Sequence, residues 1–131
     1  ESCTGGRIAA EITGVAGASA VLDRSVVVYS NQSKTDLLGV DPALLENKGA
    51  VSGEVAEAMA DGIRNQSGAD IGVSVTGIAG PDGGTEAKPV GTVYFGVATK
   101  SGTRHILKTF SGDRERIQGL STWVGLMVLF G

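Results

Sequence analysis

The chain has 131 residues, with 11 Lys and Arg against 14 Asp and Glu for a formal net charge of −3. That balance excludes a nucleic-acid scaffold, which needs a basic face to displace counterions from phosphates, and an aromatic share of 5% leaves no stacking platform for bases. Hydrophobic residues at 41%, one cysteine and one histidine describe one globular domain with no internal disulfide and no zinc cluster.

Taken in order, Gly5 to Ile12 reads as a short helix with Ile8, Ala9 and Ile12 on one face and Gly14 as its stop. Arg24 to Tyr29 contains Val26, Val27 and Val28, a β-branched run that predicts a strand buried on both faces. Ser33 to Leu38 reads as a helical turn ending at Gly39. Asp41 then caps a second short helix, with Pro42 in its first position and Gly49 beyond its end. Ser52 caps a longer helix in which Val55, Met59 and Ile63 recur at helical spacing, and Gly68 terminates it. Asp70 to Thr76 alternates Ile71, Val73 and Val75 as a strand does, and a glycine-rich loop follows. Gly91 to Thr99 and Arg104 to Phe110 read as two strands joined by a hairpin connection at 100–103. A final helix over Asp113 to Leu129 turns Ile117, Leu120, Val124 and Val128 inward.

Strands separated by helices, followed by a hairpin, predict an α/β fold: a three-layer α/β/α sandwich around a mixed sheet, spanning 1–131 as one domain. The longest apolar runs fall short of the ~20 residues that cross a bilayer, and no secretory signal is visible. A soluble, cytoplasmic domain without membrane contact is expected. The composition is compatible with a homo-oligomer.

Chemistry in such folds collects where glycine loops meet strand and helix ends. Glu1-Ser2-Cys3-Thr4-Gly5-Gly6 puts candidate nucleophiles just before a helix, whose free amides suit a phosphate or a developing oxyanion. Ser2 or Thr4 serves equally well as a plain hydroxyl cap. The loop from Thr76 to Thr85 lacks both the Gly-Lys-Ser/Thr ending and the Gly-x-Gly-x-x-Gly spacing of nucleotide-phosphate loops, yet its four glycines can line a small polar pocket. After the valine run come Tyr29, Ser30, Asn31 and Lys34. A lysine held near a serine in a partly desolvated cleft can shed its proton and activate that serine; a solvated lysine on a surface turn is the ordinary alternative. Cys3 with His105 is a competing nucleophile and base, but no acidic neighbour in sequence orients His105. Arg114 is placed to meet a phosphate or carboxylate through paired hydrogen bonds, or else to pair with Glu115 in solvent.

In fixed order the chain carries Glu-Ser-Cys-Thr-Gly-Gly at 1–6, Val-Val-Tyr-Ser-Asn at 27–31 with Lys34, and Gly-Ala-Val-Ser at 49–52. Thr-Gly-Ile-Ala-Gly-Pro-Asp-Gly-Gly at 76–84, Lys-Pro-Val-Gly-Thr-Val at 88–93 and Phe-Ser-Gly-Asp-Arg at 110–114 follow. This string resembles the carboxy-terminal domain of the CinA competence/damage-inducible proteins, also found as free-standing nicotinamide-nucleotide amidohydrolases. The resemblance implies hydrolysis of the carboxamide of nicotinamide mononucleotide to nicotinate mononucleotide and ammonia, with no metal or other cofactor. It implies Ser2 as nucleophile, Lys34 as base, and Tyr29 as an aid to proton transfer or to orienting Lys34. Thr4, Gly5 and Gly6 become candidates for the oxyanion site. Asn31, Thr76, Gly77, Gly80, Gly83 and Gly84 become candidates for the nucleotide pocket, and Arg114 for the phosphate.

Family members normally carry a helix and a first strand ahead of the opening motif. The sheet is therefore expected to lack a member here, with Ser2 on a fraying terminus. Such domains also sit behind a second, nucleotide-processing domain, which makes a non-catalytic nucleotide-sensing module the alternative function. Gln32 and Gln118 stand where relatives more often have acidic and basic residues respectively.

Overall fold

Four of the five helices begin where a side chain accepts a hydrogen bond from an otherwise unpaired first-turn amide. In the computed structural model, which describes residues 1–130, these are α2 (Asn31–Leu38), α3 (Pro42–Lys48), α4 (Gly53–Ser67) and α5 (Arg114–Met127). Ser30 accepts from Ser33, Asp41 from Ala43, Ser52 from Val55 and Asp113 from Arg116. The exception is α1 (Arg7–Thr13), whose cap position is Gly6 and carries no side chain. Its acceptor comes from further away, as described below. Short 3-10 turns occupy Ala18–Ala20 and Val128–Phe130.

Three strands, β1 (Gly72–Gly77), β2 (Thr92–Thr99) and β3 (Gly102–Thr109), pair antiparallel in the order β1-β2-β3. The β2–β3 hairpin turns on only Lys100 and Ser101, and Gly102 begins β3 at φ 133°, a value that favours glycine. Beyond β1 lie two extended stretches. Ser2 donates its amide to the Val75 carbonyl at 3.0 Å. The nitrogen of Glu1 donates to the Val26 carbonyl at 2.9 Å, while the amide of Val28 donates to the Glu1 carbonyl at 2.8 Å. Bonding one residue to positions 26 and 28 on the same neighbour is the parallel pattern, beside a three-stranded sheet whose own pairings are antiparallel.

The expected strand over Arg24 to Tyr29 needs correction. The segment is extended backbone without a continuous ladder, because its one neighbour in the sheet is the short Glu1–Ser2 stretch. It is not buried on both faces either: Val28 is fully enclosed, whereas Val27 is 47% exposed. Ser2 is not frayed. It is buried, and bonds on both sides of the Glu1–Ser2 stretch tie it into the sheet.

The sheet separates two apolar cores. Cys3, Ile8, Val75, Val93, Phe95, Val97 and Ile117 pack on the side of α1 and α5. Val28, Leu38, Val40, Leu45, Val55 and Met59 pack on the side of α2, α3 and α4. The result is helices, sheet, helices, as the sequence predicts. On the α4 side the strands present small residues, so the helix backbone rides close to the sheet. Ser74 donates to the Ala56 carbonyl, and its register partner Gly96 lies beneath the same carbonyl. A Cβ on Gly96 would run into the Ala56 carbonyl and Ser74 Oγ. Among the described residues no helix is long and apolar enough to cross a membrane.

Candidate active site

A cleft of about 250 Å³ opens between the start of the chain, the start of α2 and the loop that follows β1. Ser2, Lys34, Tyr29, Asn31, Thr76, Gly77, Gly80, Gly83 and Arg114 all line it, so the structure brings together most of the residues singled out in sequence. Cys3, Ala50, Val51, Ile78, Ala79 and Asp82 complete the wall. All of them fall within the quoted motifs at 1–6, 49–52 and 76–84, although none was singled out there for the pocket.

Lys34 is 1% exposed, although it is a lysine on the first turn of a helix. Its Nζ lies 2.8 Å from the Val28 carbonyl, 3.3 Å from the Tyr29 carbonyl and 3.3 Å from Ser2 Oγ. Burial lowers its pKa from the ordinary 10.5, because the ammonium form is stripped of water. Both carbonyls can only accept, so they take two N–H bonds. The remaining tetrahedral position faces Ser2 Oγ, and in the neutral amine that position is a lone pair.

Ser2 owes its place to Glu1. The Glu1 carboxylate accepts from Thr4 Oγ1 at 2.6 Å and from the amides of Gly6, Ile8 and Ala9 at 3.2, 3.0 and 2.9 Å. It is the missing cap of α1, placed across the turn rather than beside the helix. Burial alone would raise the pKa of this carboxyl; the bonds from Thr4, Ala9 and Ile8 outweigh that and hold it below its ordinary 4.5.

Two of the expected oxyanion donors, the amides of Gly5 and Gly6, are already committed. The amide of Gly5 is taken by the Ser2 carbonyl at 3.1 Å, that of Gly6 by Glu1, and the Thr4 hydroxyl by Glu1 as well. Gly5 and Gly6 brace the start of α1, and Thr4 does so through its hydroxyl alone. Among the described residues no acceptor takes the backbone amides of Cys3 or Thr4. Gly84 also falls outside the cleft, because it packs beneath Val90 at the back of the loop.

Tyr29 reaches Lys34 through its backbone and Arg114 through its side chain. Its carbonyl holds Lys34, but its ring is 62% exposed and its hydroxyl accepts from Arg114 Nη2 at 3.0 Å. Arg114 Nη1 in turn donates to the Gly80 carbonyl at 2.6 Å, so the guanidinium bridges the rim of the cleft. Thr76 is buried and donates to the Ala50 carbonyl at 2.9 Å, which fixes the 49–52 turn against β1.

The Cys3 and His105 pair is not assembled. Cys3 lies in the core beside α1 and α5, and burial pushes its thiol up to about 11, which keeps it protonated. His105 packs on the opposite side of the sheet against Gly53 of α4. It does have an acid partner, Glu57, at 2.8 Å from Nδ1; sequence separation concealed it. Gln118, noted in sequence only for standing where relatives more often have a basic residue, acquires a partner here. Its Nε2 donates to the Cys3 carbonyl at 3.0 Å across 115 residues. Among the described residues no three His, Cys, Asp or Glu side chains gather as a metal site would.

The profile of the CinA C-terminal domain matches residues 1–130. The chain belongs to the CinA C-terminal domain family. A CinA-like protein of Anaeromyxobacter dehalogenans is 53% identical over 129 residues, covering 98% of this chain and 32% of that protein. The chain thus spans about a third of the length of the CinA-like relatives it matches. A protein of Enterobacter agglomerans named nicotinamide-nucleotide amidohydrolase PncC is 56% identical over 119 residues, covering 90% of this chain and 73% of that one. Among solved structures, the competence/damage-inducible protein CihA of Agrobacterium tumefaciens superposes with a TM-score of 0.94 at 42% identity, covering 98% of this chain and 79% of that one. Competence damage-inducible protein A of Klebsiella pneumoniae gives 0.93 at 36% identity, over 98% and 80%. The α/β architecture is therefore that of the CinA family.

Proposed function

We propose that residues 1–131 form one amidohydrolase domain that deamidates nicotinamide mononucleotide, with Ser2 as nucleophile and Lys34 as base. The observation that carries this reading is a buried lysine amine 3.3 Å from a serine hydroxyl, with its other bonds committed to carbonyls. The name of the Enterobacter agglomerans relative supports the reaction class and the nicotinamide nucleotide as substrate.

An amide is a weak electrophile, so a serine needs both a base and a site for the oxyanion. In the proposed sequence, Lys34 takes the Ser2 proton as Oγ attacks the carboxamide carbon. The C–N bond breaks, and the same proton leaves with the amine as ammonia. Water then attacks the acyl ester, Lys34 again takes a proton, and Ser2 is restored as nicotinate mononucleotide departs. The amides of Cys3 and Thr4 are the oxyanion donors in this scheme. Asn31, Thr76, Gly77, Gly80 and Gly83 line the nucleotide pocket, and Arg114 meets the phosphate. A cationic pyridinium ring withdraws electrons from the amide and favours the uncharged form of Lys34. No step calls on a metal or cofactor. The setting that follows is pyridine-nucleotide recycling in the cytoplasm, and the longer CinA-like relatives support a further domain beside this one.

The test is ammonia release from nicotinamide mononucleotide by this chain and by Ser2→Ala. Turnover in the first and none in the second is the expected result. Turnover that survives in Ser2→Ala overturns the nucleophile, and nucleotide binding without ammonia from the unaltered chain favours a nucleotide-sensing module instead.

A further inference from the structure

Ser2, Cys3, Thr4 and Gly5 form a tight turn, closed by the Gly5 amide on the Ser2 carbonyl at 3.1 Å. In a turn of this kind the ends are tied together, and the central peptide has no partner within the turn. Here that central peptide joins Cys3 to Thr4. Its two orientations differ by a flip that exchanges the directions of the Cys3 carbonyl and the Thr4 N–H, since the two are trans across a planar unit. The flipped form needs a positive φ at the third turn residue, which a β-branched threonine resists, and among the described residues only glycines adopt positive φ. What Thr4 leaves undetermined is the tilt of the plane. Gln118 supplies that constraint, with Nε2 3.0 Å from the Cys3 carbonyl.

Gln118 is also placed to coordinate the site. It follows Arg114 by four residues on α5, so both project from one helical face. Arg114 reaches the Gly80 carbonyl and Tyr29, while Gln118 reaches the nucleophile turn.

We propose that Gln118 is a positioning residue for amide hydrolysis: its bond to the Cys3 carbonyl sets the tilt of the Cys3–Thr4 peptide and so aims the Thr4 N–H at the oxyanion formed on Ser2. The proposal rests on the amidohydrolase reading above. Gln118 itself does not touch the substrate. It acts through the backbone, and only a side chain that donates can replace it.

Gln118→Met removes the donor at similar length, and Gln118→Lys retains a donor. Ammonia release from nicotinamide mononucleotide gives kcat, KM and the pH profile for each. The rate of Ser2 labelling by diisopropyl fluorophosphate reports the same donors without the natural substrate, since its phosphoryl oxygen occupies the oxyanion position. Gln118→Met is expected to lower kcat about tenfold or more, less than the ~10²–10³ of losing an oxyanion donor outright. It should slow labelling in the same ratio and leave KM and the pH limb set by Lys34 in place. Gln118→Lys should recover both rates. Undiminished kcat in Gln118→Met overturns the proposal while the amidohydrolase reading stands. So does an equal loss in both variants, or a loss accompanied by a shifted pH limb, since either marks general disruption of the cleft. An unaltered chain that releases no ammonia overturns the amidohydrolase reading and this proposal together.

Discussion

Lys34 Nζ sits 3.3 Å from Ser2 Oγ and, among the described residues, forms no ion pair. A buried amine in that position loses its charge more readily than one in water, and the consequence extends to stability as well as to rate. With the folded pKa below the ordinary 10.5, the unfolded chain binds more protons between the two values. Stability therefore rises with pH through that window, by up to about 1.4 kcal/mol per pH unit for one group. Lys34→Met should abolish this rise in denaturant titrations at a series of pH values. It should also lower kcat by roughly 10²–10⁴, the scale of general-base catalysis. A variant that keeps the same pH dependence of stability would mean that Lys34 is not the group that titrates.

Tyr29→Phe and Arg114→Ala separate the rim of the cleft from its floor. The phenylalanine variant keeps the main-chain carbonyl that holds Lys34 and loses only the bond to Arg114. Its kcat should stay close to that of the unaltered chain, with a modest rise in KM. Arg114→Ala should raise KM for the mononucleotide by about tenfold or more, the worth of a hydrogen bond between charged groups. The effect on the phosphate-free riboside should be smaller. Equal increases for both substrates would detach Arg114 from the phosphate.

Glu1→Gln tests the cap of α1. A carboxyl held below 4.5 contributes stability that is present above that pH and lost as pH falls through the folded value. The glutamine cannot reproduce a charged acceptor for Thr4, Ile8 and Ala9, so the variant should lose about 1.5–3 kcal/mol at neutral pH. Its unfolding free energy should also respond less to acid than that of the unaltered chain. A Glu1→Gln protein with unchanged acid sensitivity would assign that sensitivity to another carboxylate.

Gly96→Ala should destabilise by about 1–3 kcal/mol, as expected of a methyl forced into a filled interior. The added atom meets the Ala56 carbonyl and Ser74 Oγ, and α4 must lift from the sheet to admit it. Urea titration gives the loss directly. Unchanged stability would mean that α4 has room to move.

Much of this molecule is legible in one dimension because its signals are local. Ser30, Asp41, Ser52 and Asp113 each stand next to the helix they cap, and the alternation in Gly72–Gly77 matches the strand. The valine run at 26–28 misleads because β-branched residues encode extended backbone, whereas a ladder also needs a neighbour. Glu1 was unreadable as a cap since its acceptor oxygens reach amides seven and eight positions onward. His105 with Glu57 and Gln118 with Cys3 join residues 48 and 115 apart. Sequence could name Tyr29 but not its atoms: its backbone meets Lys34, while its phenol meets Arg114.

The loop between β1 and β2 is closed at its root, where Ile78 donates to the Thr92 carbonyl and Gly91 donates to the Ile78 carbonyl. Ser2 depends on none of those bonds; it is suspended between Val75 and the 26–28 stretch. Exchanges within the exposed span 81–87 should therefore leave the bonds that hold Ser2 in place. That loop and the anchorage of Ser2 are, in this architecture, separately alterable.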